Sequence, residues 1–373
     1  MEASPLRPTA QHLRRALFGA ALLQALLVYA QPAAAPKPYP SPRHAYPSPR
    51  YELTAPELPD APDEWIDRSI QWVNDILDSY GPDVVEHPVR RAALIRLDDI
   101  LHIDSAPAKT LVQQFYRARI EKAVKEIEAT RVTSGMRIWK LYNHGFFVRT
   151  PSVSFTFDIV PGTRVPGFEV DAKVLERLAG QSDALLISHM HNDHASQIVA
   201  KLFLDRKKPV VAPEGLWSGQ DIAARLIFPK PSATTIHEIP IQNGRQVLKV
   251  VVYPGHQGAR VTNNVQLLTT PDGFTVVHTG DQSGAEGPGS DFDWIANIGY
   301  QHPVDLLMPN CWTTDMQRVA RGVDPKLIIT GHENEMGHAV KDRRGYTQTY
   351  NHLFGSHYPF IVMGWGESYY YPK

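Results

Sequence analysis

The chain has one cysteine, Cys311, in 373 residues. An intramolecular disulfide is therefore excluded, and so is a zinc cluster built on several thiolates. An excess of charge is also missing: 38 lysines and arginines face 39 aspartates and glutamates, a formal net charge of -1. That balance gives no electrostatic ground for a nucleic-acid partner, and none is expected. Past the N-terminal region no apolar run reaches the ~20 residues that a spanning helix needs. What remains is 43% hydrophobic and 21% charged. This is enough for one large core or two modest ones, and it is not the composition of a wholly disordered chain. Histidine is plentiful, with 16 residues. Imidazole is the commonest ligand of zinc-like ions, so the spacing of the histidines decides the reading.

The N-terminus carries Arg14 and Arg15 ahead of an apolar stretch at residues 16–30, followed by Gln31-Pro32-Ala33-Ala34-Ala35. A basic flank, a run too short to span and a small-residue end predict a signal peptide over residues 1–35. His12-Leu13 stands where a twin-arginine signal has a small polar residue, so general secretion is the expected route. The mature protein is expected to be periplasmic or secreted, with no stable membrane span. An uncleaved N-terminal anchor is the alternative. Residues 36–62 are proline-rich and repeat Tyr39-Pro40-Ser41-Pro42-Arg43 as Tyr46-Pro47-Ser48-Pro49-Arg50. Proline removes backbone donors and favours extended geometry, which predicts a linker.

Residues 63–131 read as helical. Ile66, Ile70, Val73, Ile76, Leu77 and Tyr80 recur at helical spacing, and Pro88 opens a second amphipathic run through Leu97 and Leu101. A third run, with Ser105 as its expected N-cap, places Val112, Tyr116, Ile120, Val124 and Ile127 on one face. No cluster of ligand-type residues lies here, so a packing subdomain or a lid is expected.

Over residues 132–373 the period changes to two. Residues 138–142 and 146–159 read as strands around a turn at Asn143-His144-Gly145, and residues 183–188 as a short apolar strand. Helices are expected at 193–205 and 219–227, and strands at 209–212, 304–308 and before Gly331. Two hairpins are signalled by Asn243-Gly244 and Asp272-Gly273. The mixture predicts a layered α/β domain.

The strand at 183–188 runs into His189-Met190-His191-Asn192-Asp193-His194. Alternate residues after a strand point the same way, so His189 and His191 can converge on one ion. Asp193 and His194 follow at a turn and can serve a second. Four ionisable residues in six are costly to bury unless metal or solvent satisfies them; a solvated polar loop is the bland alternative. Three further candidates follow predicted strands: His256 in Pro254-Gly255-His256, Asp281 in Thr279-Gly280-Asp281, and His332 in Gly331-His332. Ligands gathered at the C-terminal ends of strands are how one edge of a sheet builds a site.

The run H-M-H-N-D-H, followed in order by P-G-H, T-G-D and G-H, resembles the metallo-β-lactamase superfamily over roughly residues 136–373. The resemblance implies a four-layer αββα sandwich with a dinuclear, usually zinc, site between the sheets. By position it implies that His189, His191 and His256 bind one ion and Asp193, His194 and His332 the other, with Asp281 bridging. Asp158 resembles the family's early aspartate that supports the ligand loop; an ordinary turn residue is the alternative. True β-lactamases of this kind usually have Cys or Ser where Asp281 stands, and flavodiiron proteins have Glu where His191 stands. The bridging aspartate resembles the glyoxalase II, lactonase and phosphodiesterase-like branches.

The expectation is an exported dinuclear-metal hydrolase that uses a metal-bridging hydroxide on an ester, lactone or phosphodiester of a small molecule. Asp193 is its expected catalytic residue, orienting the nucleophile and passing its proton. The cofactors are two divalent ions, zinc first, with manganese or iron allowed by the same ligands. The alternatives are a β-lactamase-like amide hydrolase and a non-enzymatic metal-binding protein on the same fold. Glu333, Asn334, Glu335 and His338 are expected to line the pocket or lie solvated beside it. His278 is read as packed behind the ligands and Cys311 as structural. His144 and His352 or His357 could reach the site, but nothing in the spacing demands it; His12, His44 and His102 are read as surface residues.

Overall fold

The computed structural model describes residues 61–258, 261–282, 295 and 297–372. The signal segment, all but the last two residues of the linker, His12 and His44 lie outside the described residues.

Apolar spacing produces three N-terminal helices. α1 (Asp63–Ser79) buries Ile66, Ile70, Val73 and Leu77. α2 (Pro88–Leu101) starts with proline at its first position, where a missing N–H costs nothing, and buries Leu94, Leu97 and Leu101. The third helix does not start at Ser105. A 3-10 turn at Ala106–Ala108 comes first, extended Lys109 interrupts it, and α3 (Thr110–Ala129) follows. α3 buries Val112, Tyr116, Ile120, Val124 and Ile127, as its spacing requires.

The period-two region gives β1 (Met136–Lys140), β2 (Phe146–Arg149) and β3 (Ser154–Phe157). α4 (Ala172–Gln181), β4 (Ala184–Leu186), α5 (Gln197–Asp205) and β5 (Val210–Val211) follow. α5 begins later than the expected residue 193, because Ser196 caps it and the ligand turn stays outside. The helix expected at 219–227 is only a 3-10 segment, Asp221–Arg225, since Ile227 is drawn into a bridge with Val211. β6 (His237–Ile241) and β7 (Gln246–Gln257) flank a turn in which Gln242, Asn243 and Gly244 all have positive φ. β7 runs past Tyr253, so His256 lies inside the strand, paired with Thr262, rather than after it.

The chain continues through β8 (Val261–Thr269), β9 (Thr275–His278), α6 (Ile298–Gln301), β10 (Val304–Met308), α7 (Met316–Val323) and β11 (Pro325–Ile329). It closes with α8 (Tyr346–Leu353), β12 (Phe360–Ile361) and β13 (Ser368–Tyr371). One sheet has the order β13-β1-β2-β3-β4-β5, the other β12-β11-β10-β9-β8-β7-β6.

Each sheet buries both faces. Between the sheets lie Ile138, Phe146, Val148, Phe155 and Leu186 from the first, against Leu248, Val250, Val276, Leu306 and Ile329 from the second. The opposite face of the first sheet (Trp139, Phe147, Leu185) packs on α1–α5. The opposite face of the second (Val251, Leu267, Leu307, Ile328) packs on α6–α8. The result is the four-layer αββα sandwich that the sequence led us to expect. The N-terminal helices share one continuous apolar cluster with the first sheet. Tyr116 of α3 stacks on Phe168 (4.5 Å between centroids, 9° between planes) and meets Trp365 edge-on at 5.8 Å.

Candidate metal centre

β3, β4, β9, β10 and β11 all end at the same edge of the sandwich, and the candidate ligands sit just beyond them. Asp158 directly follows β3 in a left-handed conformation, φ 47°. Its carboxylate accepts the Ser188 N–H at 2.7 Å, the Ser188 hydroxyl at 2.6 Å and the His194 Nδ1–H at 2.8 Å. Those bonds fix the loop after β4 and turn His194 so that Nε2 faces away from Asp158. This is the supporting role that the resemblance gave Asp158, and holding the distal nitrogen of a ligand is what orients an imidazole for metal. Ser188 Oγ lies 3.0 Å from His189 Nδ1, again leaving Nε2 for the site.

Asp281 enters from β9 through Gly280, where φ is 53° and a Cβ would strike Asn263 and Ser188. Its carboxylate accepts Asn310 Nδ2–H at 2.7 Å and Gln257 Nε2–H at 2.9 Å. His332 enters from β11 with φ 72°, and its N–H donates to Asn143 O at 3.0 Å. Gly331 before it has no room for a side chain, because the His144 ring lies against it.

These elements bring six predicted residues together in two groups. Asp193, His194, Asp281 and His332 have ligand atoms within 4.8 Å of one another, and so do His189, His191 and Asp281. Asp281 belongs to both. His194 Nε2 is 3.2 Å from Asp281 Oδ1, His332 Nε2 is 3.4 Å from both Asp193 Oδ2 and Asp281 Oδ2, and His189 Nε2 is 3.6 Å from Asp281 Oδ2. His256 is not in either group. It is held on β7 beside them, its backbone N–H donating to Gln282 Oε1 at 2.9 Å. His189, His194, Asp281 and His332 are essentially buried, whereas His191 and His256 are half-buried, so solvent reaches the centre from their side.

The donor set fits a metal on the evidence of its own loose ends. His189 Nε2 and His332 Nε2 are buried and make no hydrogen bond. A buried nitrogen without a partner is costly. A divalent cation in each group would give that group's nitrogen the partner it lacks.

Without an ion the centre balances itself with protons. Burial opposes charge on His332, but the Asp281 and Asp193 carboxylates that face it outweigh that and lift the imidazole to about 10. Burial works against His194 too, and Asp281, Asp193 and Asp158 still hold it well above the usual range. His189 goes the other way: burial and the neighbouring His194 push it down to about 3. Burial raises Asp193 and Asp281, yet the facing imidazoles keep both well below the ordinary carboxylate range. Glu335 is buried near the same charges, and burial followed by Asp193 raises it to about 7.

The remaining candidates sort clearly. His278 stacks flat on Phe157 (4.6 Å, 4°), donates Nε2–H to His144 O at 3.1 Å and accepts Gly280 N–H at 3.2 Å. It is packed behind the candidate ligands, as its place in the sequence predicted. His144 is also buried there, 4.1 Å from the His278 ring. Cys311 is fully buried and its thiol is pushed well up, first by burial. Of the other pocket candidates, His338 is half-buried 5.5 Å from His332, while Glu333 and Asn334 are buried and bonded into the fold rather than solvated. His352 and His357 join no cluster, and His102 is half-buried rather than on the surface. Sequence reasoning missed Asn143, whose Nδ2–H donates to Asp193 O at 2.9 Å, and Asn310. The strand-end rule that found His332 applies equally to Asn310, two residues past β10.

No family model matches the chain, and no curated protein matches it. Solved structures do. The metallo hydrolase Igni18 from the archaeon Ignicoccus hospitalis is 13% identical with a TM-score of 0.47, covering 64% of this chain and 100% of that one. A possible metal-dependent hydrolase from Veillonella parvula is 15% identical with a TM-score of 0.48 and the same coverage, 64% and 100%. The diiron β-hydroxylase CmlA from Streptomyces venezuelae is 14% identical with a TM-score of 0.44, covering 65% of this chain and 55% of that one. At such values the functional reading rests on this chain's own residues.

Proposed function

We propose that this chain is a metal-dependent hydrolase of the metallo-β-lactamase superfamily, that it holds two divalent ions, and that it cleaves an ester, lactone or phosphodiester bond in a small molecule. One observation carries the proposal: two His/Asp groups share Asp281, and His189 and His332 each present a buried nitrogen with no hydrogen-bond partner. His189 and His191, with His256 at their side, hold one ion; Asp193, His194 and His332 hold the other; Asp281 serves both. Bound there, the ions supply Lewis acidity and a water acidified toward neutral pH. The protein's own part is positional. Asp158 fixes His194, Asn143 holds Asp193 by its carbonyl, and Asn310 and Gln257 aim the Asp281 carboxylate. Asp193 would hold and pass the proton of a water acidified there. An aspartate at 281 supports oxygen-ester substrates over β-lactams. Zinc is the proposed metal, and residues 1–35 support export to the periplasm or beyond.

The test is metal analysis of the purified chain, then a panel of esters, lactones, bis-p-nitrophenyl phosphate and nitrocefin. Two equivalents of bound ion and turnover of an ester, lactone or diester are expected, with losses on the order of 100-fold or more in Asp193→Asn and His189→Ala. A chain that takes up no ion sinks the proposal. Nitrocefin as the only substrate turned over replaces it with the amide-hydrolase reading.

A further inference from the structure

The residues that follow His332 are held from several parts of the chain. Glu333 is paired with Lys140 of β1 and accepts a hydrogen bond from the Thr349 hydroxyl at 2.7 Å. Met336 N–H donates to the Tyr142 hydroxyl at 2.9 Å. Asn334 is left-handed, φ 56°, and donates its N–H to Arg344 O at 2.6 Å. Its side chain donates to Asp98 Oδ1 at 2.9 Å. Asp98 belongs to α2, so a residue of the N-terminal helices reaches the loop two residues from a candidate ligand.

The same carboxylate starts α8. Gly345 precedes that helix and has no side chain to cap it; a Cβ there would strike the Asp98 carboxyl group. Asp98 takes the cap's place. Oδ1 accepts Tyr346 N–H at 2.8 Å, and Oδ2 accepts Thr347 N–H at 2.7 Å and the Thr347 hydroxyl at 2.9 Å. A carboxylate at the first free N–H groups of a helix also meets the positive end of its dipole. With 7% exposure and four hydrogen bonds, Asp98 leaves neither the loop nor α8 free to shift alone. Arg343 adds a second tie between the same parts, bonding Leu101 O at 2.8 Å and His338 O at 2.9 Å.

His332 needs this support. Its backbone, like that of Asn334, sits in a region non-glycine residues avoid, and such residues stay there only where their surroundings over-determine them. Yet the ring must be kept 3.4 Å from two carboxylates. The geometry points to Asp98 as a positioning residue of the metal centre: through Asn334 it sets His332, and so the ion held by Asp193, His194, Asp281 and His332. The group at His189 and His191 is outside its reach. This inference rests on the two-ion reading above.

Arg90 supplies the control. It lies on the same helix, is fully buried, and bonds Glu367 with both terminal nitrogens at 2.6 Å and Val362 O at 2.7 Å. A purely structural role for Asp98 predicts that Arg90 and Asp98 variants behave alike. The experiment titrates the metal-free full chain with Co(II), read by visible absorption and by chelator competition. The wild-type chain is expected to take up two ions. Asp98→Asn is expected to weaken one binding step by about tenfold or more and leave the other within about twofold, the usual scale for residues that orient ligands. Asn334→Gly removes the side-chain bond while keeping positive φ easy, and it is expected to do the same. It carries the test should Asp98→Asn fail to fold. Arg90→Met is expected to lower thermal stability with both steps unchanged. Two normal steps in Asn334→Gly, or an equal selective loss in Arg90→Met, overturns the inference alone. A wild-type chain that binds one ion or none overturns the two-ion reading and takes the inference with it.

Discussion

Asp158 shows how much one side chain can decide. It makes no approach to the shared space around Asp281, yet its three hydrogen bonds set both the loop after β4 and the tautomer of His194. Asp158→Asn keeps the shape but offers an amide N–H where an acceptor is needed, so the imidazole loses its Nδ1 anchor. We expect metal affinity to fall about 10–100-fold, measured by chelator competition. Affinity unchanged from wild type would remove Asp158 from the centre. At this scale much was legible. His189, His191, Asp193 and His194 announce themselves by density, and His332 and Asp281 by following apolar strands. Asn310 also follows an apolar strand, but an asparagine there, like Asn143 in its turn, is common, and its partner is fixed only when distant strands align.

At the scale of elements, the N-terminal helices are part of the sandwich rather than a cover over it. Tyr116 on α3 touches Tyr142, Phe168 and Trp365, three residues from three separate segments, and its hydroxyl donates to Pro161 O at 2.7 Å. Tyr116→Ala should cost ~3–5 kcal/mol, the range for emptying a large aromatic site. Chemical denaturation should still show one transition monitored by helix signal and by tryptophan fluorescence. A separate early loss of helix would mean that α1–α3 fold as a unit of their own. Apolar spacing made these helices legible, but not what they pack on, since an amphipathic face does not name its partner. The same limit explains α5: the sequence pattern at 193–205 suits a helix throughout, and the Ser196 cap, with Asp193 and His194 turned toward the site, keeps the first turn unwound.

For the whole molecule, the centre ties stability to pH in a way that depends on metal. In the metal-free protein His332 moves from an ordinary 6.5 to about 10 on folding. A raised value favours the fold below 6.5, and that contribution is lost as pH climbs through 10. His194 acts in the same direction, and Glu335, raised from 4.5 to about 7, adds to the loss between those values. On the acid side, His189 at about 3 and the lowered Asp193 and Asp281 penalise the fold as pH falls below 6.5 and then below 3.8. Metal-free protein should therefore be most stable near pH ~6–7 and lose several kcal/mol toward pH ~10, since each tenfold change in proton affinity on folding is worth ~1.4 kcal/mol. Metal-loaded protein should lack the alkaline loss, since the ion has already displaced the protons of His194 and His332. Thermal unfolding across about pH 5–10, with and without chelator, reads this directly. Parallel curves would mean that the two imidazoles are not where the ion binds.

The candidate ligands come from opposite sides of the sandwich: His189 to His194 follow strands of the first sheet, while Asp281 and His332 follow strands of the second. Neither half of the chain carries a complete set. During refolding, tight ion uptake must therefore wait for the two sheets to dock, and it times that docking. Once in place, an ion is a crosslink that has to break before the halves can part, so it should slow unfolding far more than it speeds folding.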